Sequence, residues 1–173
     1  MTINKLLIAN RGEIAVRIAR AAAELGIPAV AVHPADDAGA LHTRVATEAR
    51  QLPGTGVQAY LDIEEILRAA TETGCDAVHP GYGFLSENAA FAACCREHGL
   101  TFVGPSADVL GLLGDKSRAR ELAERCGVPV VEGTQGRTTL DEAHAFREKL
   151  GAGAAVVVKA IAGGGGRGMR IVR

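Results

Sequence analysis

Short apolar runs alternate along this chain with amphipathic segments, and a glycine stands wherever a helical pattern gives way to a strand-like one. The junctions read AAELGIPAVAV at Gly26, ATETGCDAVHP at Gly74, CREHGLTFVGP at Gly99, AERCGVPVVEG at Gly127 and REKLGAGAAVVVKA at Gly151. A glycine just past a helix takes the left-handed backbone cheaply, so each of these marks a helix end that feeds a strand. Helix starts are signposted as well. Asp62 with Glu65, and Thr139 with Glu142, have capping-box spacing, and Ser86 and Ser106 stand where N-caps belong.

Helices and strands alternating in this way predict crossover units in an α/β, Rossmann-like doubly wound fold, a parallel sheet with helices on both faces. Strands are predicted near 5–9, 29–33, 77–79 and 101–103, with a fainter one near 48–52. The doubly wound part then spans 1–104. A helix after Ser106 and another over 115–126 make 105–128 a helical connector, and 129–173 opens a second subdomain of hairpin-like strands around a helix over 140–150. Ligands of doubly wound sheets sit beyond the carboxyl ends of the strands, where the strand order switches. Functional weight therefore falls on Asn10, Arg11 and Gly12, on His33 and Pro34, on 80–87, and on Gly104 and Pro105. The first turn reads NRGEIA, not G-x-G-x-x-G, which disfavours a dinucleotide enzyme.

At 173 residues the chain is long enough for a sizeable core; 47% of it is hydrophobic but only 3% aromatic, so that core is aliphatic and alanine-rich. A net charge of −1 with no clustered basic face argues against nucleic-acid binding. No apolar run reaches membrane-spanning length, and Leu6 to Ala9 is too short for a signal peptide. The four cysteines, Cys75, Cys94, Cys95 and Cys126, lack C-x-x-C spacing and read as buried, reduced thiols of a cytoplasmic protein.

The strongest chemical signal is VVVKAIAGGGGRGMRIVR, residues 156–173. Four consecutive glycines describe a loop that moves or that admits a ligand against bare backbone. Lys159 precedes the glycines and a second strand follows them, so this is no Walker loop. It reads as a β-hairpin whose tip, Gly163, Gly164, Gly165, Gly166, Arg167 and Gly168, can fold over a triphosphate and offer backbone N–H groups and a guanidinium. A ligand-free flexible hairpin is the competing reading.

Three weaker signals accompany it. HPGYGFLSEN, residues 79–88, leaves Tyr82, Gly83 and Glu87 at the ligand edge of the sheet, although Ser86 and Glu87 equally suit a helix start. In GDK, Lys116 stands at the positive end of a helix dipole, an arrangement that hints at an anionic ligand. Arg17, Arg20 and Glu24 share one face of the first helix, either as solvated surface or as a subunit contact.

Taken in order, IANRGEIAVRIARAAAELGI, HPGYGFLSEN, FVGPSADVLGLLGDK and VVVKAIAGGGGRGM closely resemble the N-terminal part of biotin carboxylases, ATP-grasp enzymes of the acyl-CoA and pyruvate carboxylases. The resemblance covers essentially the whole chain. It implies an ATP-dependent ligase in which ATP activates bicarbonate to carboxyphosphate and carboxylates biotin on a carrier. Residues 1–104 then correspond to the biotin carboxylase N-terminal domain, and 129–173 to the start of a truncated ATP-grasp lid subdomain. Lys116 and Lys159 match lysines that contact ATP. Gly163 to Gly168 match a mobile lid loop, with Gly165 and Gly166 nearest the phosphates, and Ala162 stands where many relatives have glycine. Tyr82 and Gly83 match residues beside the biotin pocket; Glu87 lies near that centre. Arg17, Arg20 and Glu24 match a homodimer helix.

The resemblance also implies a biotin carboxyl carrier domain and a carboxyltransferase component as partners. Its Mg2+ ligands, bicarbonate-binding groups and general base are expected beyond Arg173, so the isolated chain is expected to be inactive. Two rival functions fit parts of the pattern: a carbamoyl-phosphate synthase-like ligase, and a non-catalytic nucleotide-binding or dimerisation module.

Overall fold

A computed structural model describes residues 2–134, 136–151, 153–160 and 168–173. The chain divides into two compact units, Met1–Gly111 and Leu112–Arg173.

The first unit is built on five parallel strands: β1 (Leu6–Ile8), β2 (Ala29–His33), β3 (Glu48–Gln51), β4 (Ala77–His79) and β5 (Thr101–Phe102), ordered β3-β2-β1-β4-β5. Side chains of a strand alternate between faces, and β1 divides its residues accordingly. Leu6 and Ile8 pack with Ala15, Ile18, Ala19 and Ala22 of helix α1 (Gly12–Glu24). Leu7 and Ala9 join the opposite core, with Ile66, Leu67 and Ala70 of a later helix (Ile63–Glu72) and Phe91 and Cys95 of another (Ala89–Glu97). Both faces are covered, which is why the central strands are apolar throughout. β3 differs. Its EARQ sequence is exposed at every position, and it is a strand because it pairs with β2 at the sheet edge, where charge also discourages further strand addition.

The junction glycines 26, 74, 99 and 127 are left-handed, with φ of 71°, 67°, 71° and 71°. Gly151 departs from them: at φ 88° and ψ 174° it turns the chain sharply out of its helix in a region that glycine alone visits freely. The Asp62 carboxylate accepts from Glu65 N–H, and Ser106 Oγ accepts from Val109 N–H at 3.3 Å. Thr139 and Glu142 form the full reciprocal box. Ser86 is not a cap. The cap lies two residues later, at Asn88, whose Oδ1 accepts from Phe91 N–H at 3.0 Å, and the helix begins at Ala89, because the loop first closes a turn from Ser86 N–H to the Gly83 carbonyl.

In the second unit, one helix spans Lys116–Arg125 and another Leu140–Leu150. The strands Val156–Lys159 and Met169–Val172 pair antiparallel, Lys159 opposite Met169, so the hairpin around the glycine run is present. Among the described residues, 128–134 carry no strand, against the expectation of one after Pro129; the carbonyl of Val131 is taken by the Arg120 guanidinium instead of by a ladder. Cys75 and Cys95 are buried free thiols and Cys94 is half-buried, but Cys126 is exposed, because it ends its helix on an open face. Among the described residues no helix is long and apolar enough to cross a membrane.

Candidate functional site

The chain runs from β1 out to β2 and β3, then returns to lay β4 on the other side of β1. The switch in strand order therefore lies between the carboxyl ends of β1 and β4, and the HPGYGFLSEN loop leaves β4 at that point.

Asn10, one residue past Ala9 and 2% exposed, clips this loop to the sheet. Its amide Nδ2 donates to the carbonyls of Pro80 at 2.6 Å and Tyr82 at 2.8 Å, while its Oδ1 accepts from Arg11 N–H at 2.9 Å. Gly81 passes so close to this clip that a Cβ there would lie 2.8 Å from Asn10 Nδ2 and 3.1 Å from Ile14, and its φ is +66°. Gly81 N–H donates to His79 Nδ1 at 3.0 Å, which makes that nitrogen the unprotonated one; burial pushes the imidazole pKa down and keeps the ring neutral.

Tyr82 projects from the clipped segment with 64% of its surface exposed, its hydroxyl donating to Glu13 Oε2 at 3.3 Å. Gly83 and Glu87 are likewise exposed. An aromatic ring with a polar tip, bare backbone and a carboxylate thus face solvent at the ligand edge. That is a surface on which a planar, hydrogen-bonding group can rest.

A second cluster lies beneath the loop. Phe84 stacks on Tyr60, ring centroids 5.4 Å apart and 18° from parallel. Tyr60 is fully buried, its hydroxyl donating to Asp37 Oδ2 at 2.9 Å. Arg11 Nε pairs with the same oxygen at 3.2 Å, and its guanidinium sits 5.9 Å from the Tyr60 ring centre. Burial, reinforced by the Asp37 carboxylate, pushes the Tyr60 phenol well above the ordinary tyrosine range. Sequence reading weighted Arg11 and, within 80–87, Phe84 by position but passed over Asp37 and Tyr60. The available signal was rarity: the chain has two tyrosines and no tryptophan, so a tyrosine beside a turn carries unusual weight.

Arg17, Arg20 and Glu24 do share a face, where with Glu13, Val16 and Ala21 they line a shallow groove along α1. In the second unit, Lys116 is the first residue of its helix, and the preceding Asp115 carboxylate accepts from Ser117 N–H at 2.8 Å and Arg118 N–H at 3.2 Å. Lys159 ends its strand and is exposed. At the neck of the hairpin, Ala160 N–H donates to the Gly168 carbonyl at 3.0 Å, and a Cβ on Gly168 would lie 2.9 Å from Ala160 Cβ. Ala162, Gly163, Gly164, Gly165, Gly166 and Arg167 lie outside the described residues.

The chain belongs to the biotin carboxylase family: residues 2–110 match the model of the biotin carboxylase N-terminal domain. Residues 115–173 match that of the carbamoyl-phosphate synthase L chain ATP-binding domain. Biotin carboxylase 1 of Bacillus subtilis is 51% identical over 173 residues, covering 99% of this chain and 38% of its own. Mitochondrial pyruvate carboxylase of Mus musculus is 52% identical over 174 residues, covering 98% of this chain and 14% of its own. Among solved structures, the biotin carboxylase domain dimer of Hydrogenobacter thermophilus 2-oxoglutarate carboxylase, in complex with MgADP, ADP and bicarbonate, superposes with a TM-score of 0.95 at 45% identity; the match covers all of this chain and 38% of that one. The chain thus spans less than two fifths of the length of these relatives.

Proposed function

We propose that this chain supplies the N-terminal part of a biotin carboxylase, an ATP-dependent ligase that carboxylates carrier-bound biotin with bicarbonate within an acyl-CoA or pyruvate carboxylase. The observation that carries the reading is the Tyr82–Gly83 segment, held by Asn10 at the strand-order switch of a chain whose residues 2–110 match the biotin carboxylase N-terminal domain. On this reading residues 1–104 form that domain, 105–128 a helical connector, and 129–173 the beginning of the lid subdomain.

The residues present suit a nucleotide. Lys116 adds positive charge at the start of a helix whose dipole favours an anion, with the Asp115 carboxylate already capping the Ser117 and Arg118 N–H groups. Lys159 ends its strand exposed, directly before the glycine run, where its ammonium can meet a phosphate. Gly163 to Gly168 with Arg167 are assigned as the lid that excludes water over the phosphates, Gly165 and Gly166 contacting them directly. ATP, when bound with Mg2+, supplies the phosphoryl group that activates bicarbonate. The protein's contribution at this end is positioning and charge neutralisation.

Tyr82 and Gly83 are assigned to the biotin side, with Glu87 near them. The α1 groove carrying Arg17, Arg20 and Glu24 is assigned to a homodimer contact, and the carrier and carboxyltransferase components complete the assembly. A cytoplasmic setting is assigned on the cysteines, of which Cys75 and Cys95 are buried free thiols.

The match of 115–173 taken alone would suit a carbamoyl-phosphate synthase-like ligase, so the test must separate the two. ADP release by the complete carboxylase polypeptide should rise when biotin is added with bicarbonate. Release driven by ammonia and indifferent to biotin would overturn the assignment. The 173-residue chain alone is expected to give no bicarbonate-dependent turnover.

A further inference from the structure

Phe84 is the sole non-glycine residue with positive φ among the described residues, at +43°. A bulky side chain holds that backbone only where its surroundings impose it, and the imposing partner here is Tyr60. Tyr60 does not rotate freely beneath the stack. Asp37 fixes its hydroxyl, Arg11 fixes Asp37, and the guanidinium of Arg11 lies over the ring. The four residues come from the segments that follow β1, β2, β3 and β4, so the cluster ties each of those carboxyl-end loops to the one that carries Tyr82.

We propose that Tyr60 is a positioning residue for the Tyr82–Gly83 segment, acting through the stacked ring of Phe84. The inference rests on the assignment of that segment to the biotin side. The segment then has two anchors: Asn10 holds the carbonyls of Pro80 and Tyr82 upstream, and Tyr60 holds Phe84 immediately downstream of Gly83. Between them the described contacts add only the exposed Tyr82 hydroxyl bond to Glu13 and the turn bond from Ser86 N–H to the Gly83 carbonyl, neither of which reaches the sheet, so the two anchors set where this backbone stands on it. An aliphatic residue at position 60 would fill the core but leave Phe84 without its partner.

The first test uses hydrogen exchange on this chain carrying Tyr60→Leu, Tyr60→Phe or Phe84→Leu. Tyr60→Leu and Phe84→Leu should speed exchange over residues 81–87 about tenfold beyond any change over residues 6–9, the upper range for loss of a stacked aromatic pair. Tyr60→Phe keeps the stack and should stay within about threefold of the parent, as expected for one hydrogen bond with part of its value lost. If Tyr60→Leu fails to fold, Phe84→Leu decides, since Phe84 is only half-buried. Equal acceleration over both segments, or none over 81–87, overturns the proposal.

The second test uses the complete carboxylase. Tyr60→Leu should raise KM for free biotin about tenfold while KM for ATP stays within about twofold, and the Tyr60→Leu/Phe84→Leu double variant should be no worse than either single change. A parallel rise in both KM values, or additive effects, overturns the positioning role. Absence of biotin-dependent turnover in the unsubstituted enzyme would instead overturn the functional assignment, leaving the exchange result to decide the positioning role.

Discussion

Gly81→Ala is expected to be the most damaging small substitution in the Tyr82 loop, and its cost can be worked from two separate effects. At φ +66° an alanine pays the left-handed penalty, roughly 1–2 kcal/mol. Its methyl would also stand 2.8 Å from Asn10 Nδ2 and 3.1 Å from Ile14. Asn10 cannot yield cheaply, because it is buried and its amide is committed to two carbonyls. Displacing it leaves a buried polar group short of a partner, a further cost of about 1–3 kcal/mol. The total is about 2–5 kcal/mol.

Gly83→Ala is the internal control. Its φ is +67°, but an added Cβ meets nothing within 4 Å, so only the backbone term applies. Urea unfolding followed by tyrosine fluorescence suits the comparison, since both tyrosines, Tyr60 and Tyr82, lie in the first unit and the chain has no tryptophan. A loss for Gly81→Ala no larger than that for Gly83→Ala would refute the argument that Asn10 is a rigid clip.

In the complete carboxylase, Lys159→Gln should weaken ATP binding by about 1.5–3 kcal/mol, the scale of a charged hydrogen bond, and unchanged affinity by calorimetry would remove Lys159 from the nucleotide site. Asn88→Ala should cost the first unit about 1 kcal/mol as loss of an N-cap, and Ser86→Ala should cost much less; the reverse order in urea midpoints would restore Ser86 as the cap. His42 and His79 are both held below the usual imidazole range by burial, so the unfolded chain binds their protons first as pH falls. Stability that they contribute is present above about pH 6.5 and is lost towards pH 5, at up to about 1.4 kcal/mol per pH unit for each histidine. Urea midpoints that stay level from pH 7 to 5, or a His42→Gln/His79→Gln variant with the same slope as the parent, would contradict this.

The doubly wound sheet was legible because its inner strands announce themselves locally. LLI, AVAVH and AVH are apolar runs that follow junction glycines or, for β1, open the chain, and each falls inside its predicted range. β3 was faint for a physical reason: EARQ has no apolar pattern, and its extended form is dictated by pairing with β2, a partner 18 residues away in the Val30–Glu48 register. Capping misled at Ser86 because a turn closing on Gly83 competes for the same stretch, a contest that spacing alone does not decide. Of the site, the segments 10–12 and 80–87 could be weighted from topology. The Tyr60 cluster could not, since residues 11, 37, 60 and 84 meet only once four strands have been ordered side by side.

β1 also sets a limit on how the gene can vary in length. Its three residues serve two cores at once, and Asn10 reaches the Pro80 carbonyl only because it follows Leu6 to Ala9 in fixed phase. Inserting or deleting one residue there would exchange Leu6 and Ile8 for Leu7 and Ala9 between the faces and swing the clip away from its loop in the same step. Substitutions in this stretch can be graded from mild to severe. Single-codon indels cannot, and a deep scan of insertions should show residues 6–10 as a gap, with the exposed turn at residues 25–26 more permissive.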